Sequence, residues 1–506
     1  MAPKQNIESL PMEVLHCVFS HVGDQESIKQ SRLVSRTFND AAAPYLIEAA
    51  SVCVTSKSLA RLEELCDHEV FSKSITTITI ILSHYDVGLA TDRSLFMHDC
   101  NGRLLRNMEM RERMGAYKWR RMVASKCGKK VPPFSFQDRS REDAIQREIE
   151  QQLWQRTYFN PEIPKIAEED FNEGEATPFQ QVALRVYVTY RERCEDQERV
   201  RQGNRHIDRI CSALANLPNL CNLRFDDPYL IIHDELQASD FPDLGFDRRM
   251  LEHFDCLLSP SSWCGSITTN ATIVPLVEML SELCARLGQS GIKPTVLSVQ
   301  MTAPAHLRPL ALSADQQAGV KLLMSRAACA RIVVDAWDRA TTVGEGNGRS
   351  RDEMLALCSF TKPFFAAPKL EYLRLDLRGY TDHGKTPTID LSDLLPLENP
   401  WPHLDTVILD YSPAKTDDLR RLVALQENTV TELQWDFGWL VRGRWDEAVE
   451  VLRGFQKLNK VSLAYPRGER YGEGTYRTDN SLNEIHSYIL KQKGVNPLMT
   501  EVEHTN

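Results

Sequence analysis

The 506-residue chain has little that would place it in a membrane or outside the cell. Its longest apolar stretch, at residues 75–82, is interrupted by threonines and is far too short to span a bilayer. Its first residues lack the apolar core of a signal peptide. The 13 cysteines stand singly, with no Cys-x-x-Cys pair, which favours reduced thiols. We therefore expect a protein of the cytoplasm and/or the nucleus that has no membrane partner.

An excess of basic residues is also lacking. Lysine and arginine together number 60, against 70 aspartates and glutamates, so the formal net charge is −10. Proteins that bind nucleic acids usually neutralise phosphates with a basic excess. The composition therefore predicts no nucleic-acid partner, and it favours a partner that carries a basic segment.

Signatures of catalysis and of cofactor binding are scarce. Neither Gly-x-Ser-x-Gly nor His-Glu-x-x-His occurs. The glycines at 344, 346 and 348 lack the spacing of a dinucleotide fingerprint and a following Lys-Ser or Lys-Thr, which favours a flexible loop. His98, Asp99 and Cys100 are consecutive, but no further ligand stands nearby at metal-ligand spacing. We expect no enzymatic activity, no metal site and no cofactor.

Three short helices are predicted near the N-terminus. In the first of them the apolar residues are spaced for one helical face, at Leu10, Val14, Leu15, Val18, Phe19 and Val22. Gly23 breaks this pattern, Asp24 is placed to cap a second helix, and a third helix carries Leu33, Val34 and Phe38. About forty residues are too few to bury so many apolar side chains alone. The helices therefore predict a partner surface.

This segment resembles the F-box of fungal F-box domain-containing proteins. The resemblance implies that the helices bind a Skp-type adaptor and, through it, a cullin. The residues expected to contact the adaptor are Leu10, Pro11, Val14, Leu15, Val18, Phe19, Leu33, Val34 and Phe38. The chain departs from the family pattern at Gln30-Ser31, where an apolar residue is usual. The alternative interpretation is a small helical hairpin that packs on the rest of the chain.

A loose repeat follows. The pattern apolar-x-x-apolar-x-apolar begins at residues 370, 404, 430 and 458, so successive starts are 34, 26 and 28 residues apart, and an earlier copy begins at 220. Helical patterns alternate with these segments, and the region resembles degenerate leucine-rich repeats. The expected fold class is α/β, with an F-box at 1–50 and a solenoid at 51–506 that has parallel strands inside and helices outside. A mostly helical, charged insertion is expected at about 84–210. A doubly wound α/β domain is the alternative.

The repeat predicts an acidic row on the concave face. Strand side chains alternate, so the third, fifth and seventh repeat positions share this face. The seventh positions are Asp226, Asp376, Asp410, Asp436 and Ala464. Because adjacent strands are about 4.8 Å apart, Asp376, Asp410 and Asp436 should lie side by side, and their repulsion calls for a cation. The hypothetical client site comprises Tyr372, Asp376, Asp410, Tyr411, Trp435, Asp436 and Trp439. In the alternative, each aspartate only caps its turn.

These observations predict a non-catalytic substrate receptor of a Skp, cullin and F-box type ubiquitin ligase. The N-terminal helices would bind the adaptor, and the repeats would hold a client protein, for which a basic segment is the expected contact. Two alternatives stay open. One is a leucine-rich scaffold with no role in ubiquitin transfer, and the other is an α/β enzyme whose insertion builds a pocket.

Overall fold

The computed structural model describes residues 7, 10–97, 99–100, 103, 178–227, 257–263, 274–304, 306–335, 349–378, 389–468 and 479–499. The chain is an α/β protein with a large parallel sheet, as the sequence predicts. Most of the predicted insertion at 84–210 and the glycine loop at 344–348 lie outside the described residues, as does His98.

A three-helix unit precedes the sheet. It comprises α1 (Met12–Ser20), α2 (Gln25–Arg32) and α3 (Arg36–Ala42). The Asp24 carboxylate accepts hydrogen bonds from the first backbone N–H groups of α2, as its N-cap position predicts. Leu15, Phe19 and Ile28 form the centre of a small core together with two alanines of α3. This core is separate from the main one, so the unit buries part of its apolar surface by itself.

Nine parallel strands form the main sheet, and their order in the sheet follows their order in the chain. They are β1 (Ala49–Cys53), β2 (Thr77–Ile81), β3 (Asn222–Asp226), β4 (Val296–Thr302), β5 (Cys329–Asp335), β6 (Tyr372–Asp376), β7 (Thr406–Ile408), β9 (Glu432–Gln434) and β11 (Lys460–Ser462). A second parallel sheet holds β8 (Pro413–Lys415), β10 (Trp439–Arg442) and β12 (Arg467–Gly468). The chain thus passes from the large sheet into the small one after each of its last three large-sheet strands.

Helices connect the strands and cover one face of the large sheet. The longer ones are α4 (Ser56–Asp67), α7 (Pro178–Arg201), α8 (Arg205–Ala215), α9 (Val274–Gln289), α10 (Ala314–Leu323), α11 (Arg351–Phe365), α13 (Thr416–Gln426), α14 (Trp445–Leu452) and α15 (Asp479–Ile489). Shorter ones are α5 (Phe71–Ser74), α6 (Val87–Thr91) and α12 (Leu391–Leu394). None of the helices in the described part of the chain is long and apolar enough to cross a membrane.

Strict alternation of burial explains why the strands form one sheet with one covered face. In β4, Leu297, Val299 and Met301 are buried, and the residues between them are partly exposed. These three side chains belong to one continuous core with Leu283 of α9 and Val320 of α10. Burial of alternate aliphatic side chains under amphipathic helices supplies the main stabilisation of such a layered fold.

The helices α9 and α10 pack with their backbones unusually close. A Cβ atom built on Gly288 would lie 1.9 Å from the carbonyl oxygen of Gly319, and one built on Gly319 would lie 2.6 Å from that of Ala285. A side chain at either position would therefore force the helices apart. Neither glycine has a left-handed backbone, so close approach alone requires them.

Candidate functional site

The three-helix unit exposes an apolar surface. Met12, Val14, Val18, Leu33 and Val34 are between 38% and 79% exposed, with Leu33 the most exposed. Leu33 follows the last residue of α2 and Val34 comes next, so both lie in the turn before α3. Single exposed apolar residues are common on protein surfaces, but a group of them on one small unit is typical of an interaction site.

The nine residues predicted to contact an adaptor divide into two groups. Val14, Val18, Leu33 and Val34 are exposed apolar side chains, and Pro11 is also exposed. The others point inward in the free chain, and their contact with an adaptor stays a prediction. Leu15 and Phe19 are buried, Leu10 and Phe38 pack against their core, and the rings of Phe19 and Phe38 meet edge to face at 5.7 Å. The inward face of an amphipathic helix cannot serve a second partner while it holds the helices together.

The second candidate surface lies at the ends of β6, β7 and β9. Arg374 on β6 pairs with Ile408 on β7, and Ile408 pairs with Gln434 on β9. The ladder continues beyond the strands, since the Leu377 N–H donates to the Asp410 carbonyl and the Tyr411 N–H donates to the Asp436 carbonyl. The carboxylates of Asp376, Asp410 and Asp436 therefore follow one another on neighbouring strands. Asp226 lies on β3, which β4 and β5 separate from β6.

Arginines of the same chain neutralise the first half of this acidic row. Arg374 Nη2 lies 2.8 Å from Asp376 Oδ2 and 3.7 Å from Asp410 Oδ2. Arg378 Nη2 lies 3.0 Å from Asp376 Oδ2, and its Nε lies 3.5 Å from Asp335 Oδ1. The Asp376 carboxylate is buried, whereas the side chains of Arg374 and Arg378 are 29% and 53% exposed, so water reaches the arginine side of these contacts. The guanidinium groups of Arg374 and Arg378 thus supply part of the positive charge that the acidic row was expected to receive from a partner.

Neutral donors hold the second half. Gln434 Nε2 donates to Asp410 Oδ1 at 3.1 Å and to Asp436 Oδ2 at 3.0 Å. Asp436 Oδ1 accepts from Ser462 Oγ at 2.8 Å and from the Ala464 N–H at 2.9 Å. Burial raises the pKa of Asp410, and the nearby carboxylates of Asp376 and Asp436 raise it further. These carboxylates bind the ends of neighbouring strands together.

Aromatic residues flank the row, though not as predicted. Trp435 is only 1% exposed, and its indole Nε1 donates to the Ser412 carbonyl at 3.1 Å, so it lies in the interior rather than on an accessible face. It occupies the sixth repeat position, which points into the core. Tyr372 and Trp439 are partly exposed, and the Arg331 guanidinium lies 4.8 Å from the centre of the Tyr372 ring.

A stack of three aromatic rings runs beside the row, and the sequence interpretation missed two of them. The rings of Tyr411 and Phe437 stack at 4.5 Å, and those of Phe437 and Tyr465 stack at 4.7 Å. All three residues have a left-handed backbone, with φ of 56°, 56° and 52°. Each occupies the turn from the large sheet into the small one, so the ring spacing reproduces the strand spacing. We call Tyr411, Phe437 and Tyr465 the aromatic stack.

A pattern in the sequence could have located the aromatic stack. Tyr411, Phe437 and Tyr465 each follow the seventh position of their repeat directly. Periodic recurrence of one residue class at one repeat position is the mark of a ladder in stacked repeats. Tyr465 is 65% exposed and ends the stack, because β11 is the edge strand of the sheet.

A cluster of buried polar side chains lies between the end of β2 and α7, where an enzyme could place a pocket. His84 and Asp86 lie near Cys194 there, although Cys194 is far from both of them in the sequence. The Tyr190 hydroxyl accepts from the Asp86 N–H at 2.7 Å, and Arg103 forms an ion pair with Asp99. Burial lowers the pKa of His84 to about 4 and raises that of Cys194 to about 12.

These shifts do not favour catalysis by the cluster. At neutral pH the Cys194 sulfur stays a thiol, whereas a nucleophilic cysteine needs a lowered pKa. His84, likewise, is neutral and fully buried. Within the described residues, no three histidine, cysteine, aspartate or glutamate side chains are arranged to hold a metal ion. The cluster links α7 to the segment after β2 through buried hydrogen bonds.

Comparison with protein-family models and with curated proteins adds no relative. No protein-family model matches the chain, and no curated protein matches it significantly. The exposed apolar side chains of the three-helix unit and the acidic row with its aromatic stack are therefore the observations on which a function can be argued.

Proposed function

We propose that the chain is a non-catalytic substrate-recognition subunit of a Skp, cullin and F-box type ubiquitin ligase. The three-helix unit binds a Skp-type adaptor, which connects the chain to a cullin. The nine-stranded sheet and its helices form a leucine-rich-repeat-like solenoid, and the open face of the sheet holds the client. The chain supplies no reactive group and needs no cofactor, because holding a client lysine near a charged ubiquitin carrier raises its effective concentration.

One observation carries this proposal. The described residues contain twelve exposed large apolar side chains, and six of them fall between residues 7 and 34. They are Ile7, Met12, Val14, Val18, Leu33 and Val34. A unit with its own small core has no internal reason to keep so much apolar surface in water. A helical partner surface gives these side chains a place to be buried, as the F-box resemblance implies.

The arrangement of the sheet supports the client-binding part. Strands that stand in chain order, each followed by a helix on the same face, leave the other face free of helices in the described residues. Repeat proteins use such continuous faces for binding. Tyr372 on β6, Tyr411 after β7 and Trp439 on β10 of the small sheet are partly exposed and are the candidate client contacts, while Asp376 and Asp410 serve chiefly to position the strand ends.

Co-purification with a Skp-type adaptor tests the adaptor-binding part. The critical variant is Leu33→Ala, because Leu33 is 79% exposed and its loss leaves the three-helix core intact. Burial of a leucine side chain contributes about 1.5–3 kcal/mol, so we expect the adaptor affinity to fall by about 10- to 100-fold. The matched control is Leu322→Ala, an exposed leucine of α10, which should leave the affinity unchanged.

The outcomes separate the alternatives. If the intact chain captures no adaptor, the receptor function is wrong, and a scaffold whose N-terminal helices serve another partner takes its place. If capture occurs but Leu33→Ala and Leu322→Ala bind equally well, the adaptor uses a different surface. A thermal melt of each free variant checks that the fold is retained.

A further inference from the structure

A cleft on the helical side of the protein has features that the receptor function does not use. It has a volume of about 460 Å³ and lies where the end of α7, the start of α8 and one face of α9 meet. Its wall includes the carboxylates of Glu198, Glu278 and Glu282 and the guanidinium of Arg201. Apolar side chains of Ile207 and Met279 form another part of the wall.

One carboxylate in the cleft has no ion-pair partner among the described residues. Arg201 Nη1 lies 2.7 Å from Glu198 Oε1, so these two charges neutralise each other. Glu282 Oε1 lies 2.9 Å from Arg286 Nε. Glu278, in contrast, is exposed and makes no ion pair within the part of the chain that the structure describes. A cation that enters the cleft would therefore meet one free carboxylate.

A buried imidazole provides independent evidence of a ligand. His206 lines the cleft, is only 3% exposed, and has no hydrogen-bond partner among the described residues on either ring nitrogen. Burial lowers its pKa, and the positive charge of Arg201 lowers it further, so the ring is neutral. The Val200 carbonyl lies near enough to raise the pKa of His206, but it forms no hydrogen bond of normal geometry with either ring nitrogen. A neutral imidazole has one acceptor nitrogen, and an acceptor buried without a donor is costly.

We propose that this cleft binds a primary alkylammonium group, with the ammonium between Glu278 and His206 and the methylene chain along Ile207 and Met279. An ammonium has three N–H donors and no acceptor, so it satisfies a carboxylate and an imidazole nitrogen together. Apolar walls suit the methylene chain, as they do for a lysine side chain whose charged end stays at the water boundary. A bare metal ion fits less well, because it needs several ligands at short distance, and no such group exists in the described residues.

The probe is n-butylammonium chloride, added to the full chain carrying ¹³C-labelled histidine. The His206 ring signal, assigned by its absence in His206→Gln, should shift saturably. Addition of 1-butanol, which has the same chain without charge, should not shift it. Glu278→Gln should weaken binding by about fivefold, the size expected for one ion pair at a partly exposed site. The control Glu192→Gln, an exposed glutamate of α7 away from the cleft, should bind as the unchanged chain does.

Three results would overturn the proposal: no saturable shift, an equal response to 1-butanol, or equal affinity in Glu278→Gln and the unchanged chain. Calorimetry on the Glu278→Gln and Glu192→Gln chains decides the question even if His206→Gln fails to fold. A second arm identifies the source of the group. Binding of Nα-acetyl-lysine methylamide at least tenfold tighter than n-butylammonium indicates a protein lysine, and equal or weaker binding indicates a free amine. The outcome is independent of adaptor binding.

Discussion

The stability of the protein should depend on pH through Asp227, which is fully buried at the end of β3. Its Oδ1 accepts from the Thr302 N–H at 2.6 Å, and its Oδ2 accepts from the Trp263 N–H at 2.8 Å and from Thr302 Oγ1 at 2.6 Å. Burial nevertheless dominates and raises its pKa from 3.8 to about 7, while the hydrogen bonds oppose this rise.

The sign and size of the effect follow from this shift. Because the folded state holds the proton more tightly than the unfolded state, the contribution is complete below pH 3.8 and is lost as the pH rises to about 7. A shift of roughly three pKa units corresponds to about 4 kcal/mol of unfolding free energy. Asp227→Asn removes this loss, but its amide NH₂ must face a buried backbone N–H donor, which costs about 1–3 kcal/mol.

The difference in unfolding free energy between Asp227→Asn and the unchanged chain should therefore reverse its sign with pH. At pH 4 the variant should be less stable by about 1–3 kcal/mol. At pH 8 it should be more stable by about 1–3 kcal/mol, because the unchanged chain has by then lost about 4 kcal/mol. Urea unfolding followed by circular dichroism from pH 4 to pH 8 measures this difference, in which other titrating groups cancel. Asp40→Asn, at an exposed aspartate, is the control. A difference that is independent of pH would refute the reasoning.

Three further predictions concern the fold and the acidic row. Gly288→Ala should lower the unfolding free energy by about 1–3 kcal/mol or more, because α9 and α10 would be overpacked. Gly494→Ala should leave it unchanged, because a Cβ atom at Gly494 meets no atom within 4 Å. Equal thermal melts of the two variants would contradict this prediction. Asp410→Lys should lower it by about 3–5 kcal/mol, because a buried carboxylate with several donors is lost, and the same change at exposed Asp40 should have little effect in urea unfolding. Tyr465→Gly should be more stable than Tyr465→Ala by about 1 kcal/mol, because φ is 52°; equal stabilities would show that the turn carries no strain.

The sequence contains enough information for the architecture of the sheet. Aliphatic residues at the first, fourth and sixth repeat positions are buried, as Leu370, Leu373 and Leu375 are, or pack partly buried against the core, as Leu220 and Leu458 do. Their spacing fixes which face of each strand is covered, and the recurrence of helices between strands makes the sheet parallel. The segment after each of the last three strands was not predicted to form a second sheet. Its strands are only two to four residues long and lack any alternating pattern.

The candidate sites were harder to predict because they depend on side chains that compete for the same space. Leu15 and Val14 are adjacent apolar residues of α1, yet the first is buried and the second is exposed. Composition alone does not separate them; the packing of α1 against α3 does. One partner of Asp376 is Arg374, two positions earlier on the same strand face. Strand alternation brings such a pair together, but a salt bridge also requires a particular rotamer of the arginine, which no sequence pattern specifies.

These contacts change which experiment can examine client binding. Charge reversal of Asp410 and Asp436 would remove the bonds from Gln434 and from the edge strand β11, so a loss of client capture could result from unfolding alone. An exposed residue that holds no strand gives a clearer answer. Tyr465 meets this requirement, because it is 65% exposed and ends the aromatic stack. If the open face binds a client, substitutions in the aromatic stack test its specificity more directly than substitutions of Asp410 and Asp436, because those two carboxylates also hold the strand ends together.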